Sequence, residues 1–458
     1  MIRRFIIFGA SGDLAARFLM PALASLHEMG RLPDGFRLLG LGRDQWDQAS
    51  FRHRLADKMA ETAPDVSASS REAVASVMDY AVVDVTDPKQ IAKSLEGITE
   101  PVVIYLALPP ALFHPAVEAL AARGLPRGSK LVVEKPFGEN LASAQSLNRL
   151  LHESFPEQDI FRLDHFLGKQ TVQSVLGLRF ANRIFEPLWN SQHVERVEIV
   201  WDETLTAAGR AAFYDSTGAL RDMIQNHLLQ LLALIAMEPF HSLNERALRD
   251  RKVDVFRAVH RLSPEAVARQ TVRGRYGSGA INGRAINAYV DERGVDGDRH
   301  TETFAQVTLS IDNWRWSGVP FLLRTGKALA ADRRHIAVHF RPVPHLAFGQ
   351  QAHPTPNVLT IRLNPDQIVL GINVNASGDL FDLDRVDLDS PCGSGGTPAY
   401  VRLLLDVLHG DLTLSIRDDE AEESWRIVEP ILSVWKEGKV PLREYSAGSD
   451  GPVRQPVA

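Results

Sequence analysis

At 458 residues the chain is longer than a single hydrophobic core usually grows, so two domains are expected. Hydrophobic residues at 45% and charged residues at 24% are those of an ordinary globular protein and exclude a disordered or fibrous one. A formal net charge of -6 leaves no broad basic surface, so neither nucleic acid nor membrane is expected as a partner, and an anionic ligand must be held by a local cluster.

In chain order, Met1 to Phe8 carries an apolar run far shorter than a signal peptide's hydrophobic region, and no targeting segment is expected. Residues 5–8 read as a first strand ending in Gly9-Ala10-Ser11-Gly12-Asp13-Leu14-Ala15, with a helical stretch behind it. The spacing of Gly9, Gly12 and Ala15 puts glycines in the strand-to-helix turn, where a pyrophosphate meets helix N-terminal amides. Alone, it fits a plain tight turn equally well. A second strand at 36–41 comes at the expected distance and ends in Gly42-Arg43. An acidic residue there would grip a ribose hydroxyl, whereas an arginine accommodates the additional phosphate of NADP. Arg43 therefore favours NADP, while Asp44 and Asp47 keep NAD use open.

Apolar runs at 102–107, 131–133 and 160–163, separated by amphipathic segments, complete the pattern of a parallel sheet. From about residue 195 the strands alternate, as at 194–200, 304–311 and 358–363, which suggests a largely antiparallel sheet. The expected fold class is α/β plus α+β. An N-terminal Rossmann-type dinucleotide-binding domain spans 1–164, and a larger α+β domain with a mainly antiparallel sheet spans 165–458.

A dinucleotide-dependent oxidation of a hydroxyl-bearing carbon needs a base that titrates near working pH, a role suited to histidine. His227 lies in a helical segment whose apolar residues Leu220, Met223, Ile224, Leu228, Leu231 and Ile235 form a buried stripe, so read alone it is a core histidine. A carboxylate on the other ring nitrogen supports such a base. Asp222, five residues earlier, would lie about 140° round an α-helix from His227 and point elsewhere. Asp164 closes a strand on the side where ligands collect in open α/β sheets. His165 and Lys169, four apart, would share one face of a helix starting there and offer cationic groups to a phosphate. Residues 228–237 are too short to span a bilayer, 393–396 read as a flexible glycine loop, and Cys392 can form no internal disulfide, which fits a reducing cytoplasm.

The glycine turn, Tyr105-Leu106-Ala107-Leu108-Pro109-Pro110, Glu134-Lys135-Pro136-Phe137-Gly138 and Asp164-His165-Phe166-Leu167-Gly168-Lys169 occur in an order that resembles the glucose-6-phosphate dehydrogenase family. Arg221-Asp222-Met223-Ile224-Gln225-Asn226-His227, Ile311-Asp312-Asn313-Trp314-Arg315-Trp316 and Arg324-Thr325-Gly326-Lys327 extend the resemblance over nearly the whole chain. It implies oxidation of C1 of β-D-glucose 6-phosphate to 6-phospho-D-glucono-1,5-lactone with hydride transfer to NADP, opening the oxidative pentose phosphate pathway. It also implies His227 as base and Asp164 as its orienting carboxylate. Lys135, His165, Lys169, Glu203, Asp222 and Lys327 would bind the sugar phosphate, and Gly9, Ser11, Gly12, Asp13, Leu14, Arg43 and Lys135 the dinucleotide. Glu203 by itself reads as readily as a solvated strand-end charge. A homodimer or homotetramer is implied, and no metal.

The chain departs from the family's pattern in its phosphate pocket. Phe166 stands where many members have tyrosine, Ala16-Arg17-Phe18 replaces a lysine-rich run, Asp332 takes a position commonly basic, and Ala208-Gly209-Arg210-Ala211 replaces Glu-Gly-Arg-Gly. Arg17 and Arg333 are close in sequence to the lost charges. These changes leave the reaction type intact and leave open a different hexose phosphate or an unphosphorylated hexose; a non-catalytic dinucleotide-binding member is a separate alternative, against which His227 with Asp164 speaks.

Overall fold

A computed structural model describes residues 1–348, 354–378, 380–391 and 397–452. Cys392 and the expected glycine loop at 393–396 lie outside the described residues. Six strands form the first sheet: β1 (Arg4–Phe8), β2 (Arg37–Gly42), β3 (Met78–Val82), β4 (Val102–Leu106), β5 (Lys130–Glu134) and β6 (Ile160–Leu163). Their order is β3-β2-β1-β4-β5-β6, and every neighbouring pair is parallel. Phe5 to Phe8 and all of β4 are buried, as strands must be when helices cover both faces of a parallel sheet. The strand order reverses between β1 and β4, so a crevice opens at their carboxyl ends, beside Gly9 and Ala107. β3 escapes sequence reading because Met-Asp-Tyr-Ala-Val is a half-exposed edge strand with no apolar run.

The second sheet has nine strands: β7 (Val194–Asp202), β8 (Thr271–Gly277), β11 (Phe304–Leu309), β12 (Phe321–Gly326), β13 (Arg333–Phe340), β14 (Val358–Leu363), β15 (Asp366–Asn375), β16 (Leu383–Pro391) and β17 (Leu442–Ser446). A separate hairpin contains β9 (Gly279–Ile281) and β10 (Arg284–Ile286). The order is β16-β15-β14-β13-β7-β12-β11-β8-β17, antiparallel throughout except for β7 with β12 and β8 with β17.

The chain divides into two compact units. The first is Met1–Lys169 joined by His241–Arg249 and Thr397–Glu422, and the second holds the remaining described segments. Within the first, the helix Ala399–His409 packs against the helix Met20–Glu28. A side chain at Gly168 would meet Ala399 backbone oxygen at 2.6 Å, so glycine permits that approach. Within the second, Leu220–Leu228 is a π-helix that continues as an α-helix through Ala236, and only Arg221 and Asp222 of this run are not fully buried. A helix buried nearly all round belongs inside a core. Among the described residues no helix is long and apolar enough to cross a membrane.

Candidate active site

In the first unit, Gly9 has φ +83, and an added Cβ would lie 2.2 Å from the Ala107 carbonyl oxygen. Only glycine lets β1 turn this close to β4. The Gly9 and Ala10 amides donate to the Leu41 oxygen at 2.8 and 3.0 Å, and the Gly12 amide donates to the Gly9 oxygen at 3.0 Å. The next element, Ala15–Leu19, is a π-helical turn running into Met20–Glu28, and Leu14 at its start supplies no side-chain cap. Its first amides therefore suit an anion, and the cradle around Gly9, Ser11, Gly12, Asp13 and Leu14 fits a pyrophosphate. Arg43 comes directly after β2, is exposed, and has no ion pair among the described residues. Asp47 is committed elsewhere: its carboxylate caps the helix Gln48–Thr62 through the Ser50 amide at 2.7 Å.

Lys135 comes directly after β5, next to a buried acid. Glu134 accepts a hydrogen bond from the Tyr105 hydroxyl on β4 and another from Tyr400. Burial pushes the Glu134 carboxyl up to about 7, with the nearby Asp164 charge adding to the rise against the pull of the tyrosine hydroxyls and Lys135. Asp164 is fully buried at the end of β6, and its Oδ1 accepts from the Phe166 amide at 2.9 Å.

That Asx turn delays the next helix. Leu167 donates to the Asp164 oxygen, Gly168 to His165 and Lys169 to Phe166, at 3.1 to 3.2 Å, and the helix starts only at Gln170. His165 and Lys169 are thus not on one face of a helix, as expected from their spacing, but on consecutive tight turns. The His165 ring stacks on Tyr400 with centroids 6.0 Å apart at 8°, and Tyr400 also packs on Phe18 at 5.3 Å. Phe166 lacks a hydroxyl, yet its ring carries the Lys169 ammonium at 5.1 Å and meets His165 edge-on.

In the second unit, strand register explains one pairing outright. β7 and β12 run parallel with Asp202 opposite Gly326, which sets Glu203 and Lys327 side by side one residue later. Lys327 Nζ lies 2.9 Å from Glu203 Oε2, and the Trp201 indole donates to Oε1 at 3.2 Å. Glu203 is therefore a partnered, half-buried carboxylate rather than a solvated strand end. Lys327 also stands 5.2 Å over the Tyr214 ring. Burial drives the Tyr214 hydroxyl pKa well up, with the Asp222 charge contributing next, so Asp222 belongs to this cluster.

Asp332 accepts from the Thr204 amide and hydroxyl at 2.7 and 3.1 Å, and so holds the turn after Glu203. Arg333 does not replace the missing cation, since it faces Asp202 and Asp450. Its neighbour Arg334 reaches Glu203 at 3.6 Å and Asp332 at 3.3 Å, because alternate residues of a strand take opposite faces. Arg17, the other basic residue near a lost charge, lies 3.9 Å from Asp13.

His227 is 1% exposed, and its amide donates to Asn226 Oδ1 at 2.6 Å. The helix that carries it is π, not α. In a π-helix the bonded partner is five residues along, so Asp222 and His227 lie roughly one turn apart on the same side. The expected 140° separation is corrected: Asp222 does not point away from His227. Gly218 kinks the chain before this helix with φ 73 and ψ 167, and Glu302 Oε1 accepts from the Leu220 amide at 3.0 Å to cap it.

Sequence reasoning missed Tyr214, Arg334, Glu134 and Tyr400. Glu134 stands inside the Glu-Lys-Pro-Phe-Gly motif and carries the available signal, an acid at the end of a buried strand. Tyr400 lies in the first turn of the helix Ala399–His409 just outside the motifs, and a tyrosine at that place carries no signal of its own.

Two family models divide the chain: the "glucose-6-phosphate dehydrogenase, NAD binding domain" matches residues 6–174 and the C-terminal domain of the same family matches 176–456. The glucose-6-phosphate 1-dehydrogenase of Treponema pallidum is 43% identical, covering 98% of this chain and 91% of its own. That of Zymomonas mobilis is 39% identical, covering 98% and 96%. Among solved structures, the Mycobacterium avium glucose-6-phosphate 1-dehydrogenase superposes with TM-score 0.87 at 35% identity, covering 98% of this chain and 95% of that one. A glucose-6-phosphate dehydrogenase in complex with its substrate, glucose 6-phosphate, superposes with TM-score 0.88 at 31% identity, covering 98% and 96%.

Proposed function

The chain belongs to the glucose-6-phosphate dehydrogenase family, and from that premise we propose that it oxidises C1 of β-D-glucose 6-phosphate to 6-phospho-D-glucono-1,5-lactone, the first step of the oxidative pentose phosphate pathway. The observation that carries the reading is the second unit's cluster, in which a buried histidine on a π-helix stands with Asp222, Tyr214, Glu203 and Lys327. His227 takes the proton of the C1 hydroxyl, and Asp164 is the carboxylate that supports the imidazolium. Asp222 and Glu203 accept from sugar hydroxyls. Lys327, His165 and Lys169 hold the 6-phosphate by charge-assisted hydrogen bonds. The dinucleotide, when bound, would supply the hydride acceptor; Gly9, Ser11, Gly12, Asp13 and Leu14 would hold its pyrophosphate, and Lys135 would bind both dinucleotide and sugar.

NADP is the cofactor of this reading. Exposed Arg43 at the end of β2 is free of ion pairs among the described residues, and Asp47 is committed to a helix cap. The division of labour assigns 1–164 to the dinucleotide and 165–458 to substrate and assembly. The enzyme works in the cytoplasm as a homodimer or homotetramer. His227→Asn abolishes turnover while dinucleotide binding survives, measured by reduced-nicotinamide absorbance and by fluorescence titration; a variant with full activity would remove His227 from the role of base. Arg43→Ala raises the Michaelis constant for NADP far more than that for NAD, and equal effects reject the contact with the 2'-phosphate. Glucose 6-phosphate is turned over in strong preference to glucose, and equal efficiency on both rejects the phosphate pocket.

A further inference from the structure

Away from the catalytic residues, three metal-ligating side chains of the first unit converge. His152 sits in the last turn of the helix Leu141–Ser154, Glu157 opens the short turn Glu157–Asp159, and Asp418 begins the helix Asp418–Lys436. One donor atom from each lies within 4.8 Å of the other two. His152 Nε2 is 3.0 Å from Glu157 Oε2 and 3.4 Å from Asp418 Oδ2. We propose that His152, Glu157 and Asp418 form a binding site for a divalent transition-metal ion of the zinc class.

Bonds of about 2.0–2.1 Å from zinc to nitrogen and oxygen put neighbouring ligand atoms roughly 3.3–3.4 Å apart. The two separations from His152 Nε2, 3.0 and 3.4 Å, are close to that spacing, and the two carboxylates lie within 4.8 Å of each other. One imidazole with two carboxylates suits zinc or cobalt. The three side chains are each about a quarter to a third exposed, at 36%, 27% and 28%, which leaves the fourth position to water.

Groups behind the ligands hold them in place. Arg162, itself 0% exposed, donates through Nη1 to both Glu157 oxygens at 2.9 Å and through Nη2 to Asn148 Oδ1 at 3.0 Å. Asn148, 3% exposed, donates in turn to the Asp418 backbone oxygen at 3.1 Å and to Glu422 Oε1 at 2.9 Å. The Asp419 amide occupies Asp418 Oδ1 at 2.7 Å, which leaves Oδ2 to face the histidine. Outer contacts of this kind fix ligand orientation in metal sites. Arg162 cancels one of the two carboxylate charges, so the cluster with a neutral imidazole keeps one negative charge toward an entering dication. The bound ion ties the end of the His152 helix to the returning segment Thr397–Glu422, which carries Tyr400.

Cobalt(II) added to the intact, chelator-stripped enzyme tests the site through the visible absorption band of tetrahedral cobalt. One equivalent binds per chain, zinc displaces it, and His152→Ala weakens binding at least ten-fold while glucose 6-phosphate turnover and the apo melting temperature stay as in the parent. Zinc raises the melting temperature of the parent and leaves that of His152→Ala unmoved, because an ion bound only by the folded state stabilises it. Glu157→Gln serves as a second variant and loses the same zinc-dependent rise. A parent without the band, or a His152→Ala variant that binds cobalt with the parent's affinity, overturns the proposal and leaves these side chains as an ion-pair network only.

Discussion

Lys327 is a cation of the second unit's cluster, held by Glu203 at 2.9 Å, and in the proposed function it binds the substrate's phosphate. A hydrogen bond to a charged group is worth about 1.5–3 kcal/mol, which is roughly ten-fold or more in affinity. Lys327→Gln is therefore expected to raise the Michaelis constant for glucose 6-phosphate at least ten-fold, with a smaller change in kcat, in steady-state assays. A kcat loss at unchanged Michaelis constant would move Lys327 from binding to chemistry. Glu134 gives a second prediction. Its folded pKa of about 7 lies above the ordinary value of 4.5, so the protonated carboxyl favours the fold. That contribution is whole below about pH 4.5 and fades as pH rises through 7, to a limit of about 3 kcal/mol. Glu134→Gln, uncharged at every pH, should flatten the fall in melting temperature across this window, and parallel curves for parent and variant would refute it. At this scale the candidate residues inside motifs stand in the sequence, and so do Phe18 and Asp332 in place of the family's cations. Arg334 and Tyr214 were not, because only strand register and packing bring them to Glu203 and Lys327.

The elements show where periodicity reasoning stops. Residues 220–236 are buried almost all round, so their apolar pattern fixes no helical phase and cannot separate π from α winding. The angle between Asp222 and His227 depends on that winding alone, which is why the sequence placed them on opposite sides. The π-helix begins at a kink that only glycine tolerates: a Cβ on Gly218 would lie 2.5 Å from Glu302 Oε1, and its φ of +73 is strained for any other residue. Gly218→Ala should cost about 2 kcal/mol or more, by strain and by pushing Glu302 off the Leu220 amide. The same displacement should cut kcat more than it changes dinucleotide affinity, since the cofactor turn belongs to the other compact unit. An unchanged melting temperature with unchanged kcat would show that the kink is dispensable. The Gly9 turn is the opposite case. There the sequence spacing agrees with a turn so close that an added Cβ would lie 2.2 Å from the Ala107 oxygen, because a fingerprint turn depends on neighbours only a few residues away and on one adjacent strand.

Across the whole molecule, the parallel and antiparallel sheets were both legible because their burial differs. Continuous apolar strands marked the first, and alternation such as Val-Glu-Arg-Val-Glu-Ile-Val marked the second. Which strand ends the larger sheet was not legible, and that edge bears on assembly. β16 is exposed along almost its entire length, and its antiparallel register puts Leu388 opposite Leu370 and Val386 opposite Ile372. Leu388 is 53% and Val386 37% exposed, so these pairs make one apolar face on a strand whose other face carries Arg385, Asp387 and Asp389. A long exposed edge with an apolar face is a liability unless another chain covers it. The charged face disfavours indefinite stacking, whereas a second copy related by a two-fold axis can bury the apolar face once and close. The double variant Val386→Asp, Leu388→Asp is therefore expected to lower the mass measured by light scattering while the isolated chain keeps its far-ultraviolet spectrum. An unchanged mass would show that this face joins no second copy of the chain.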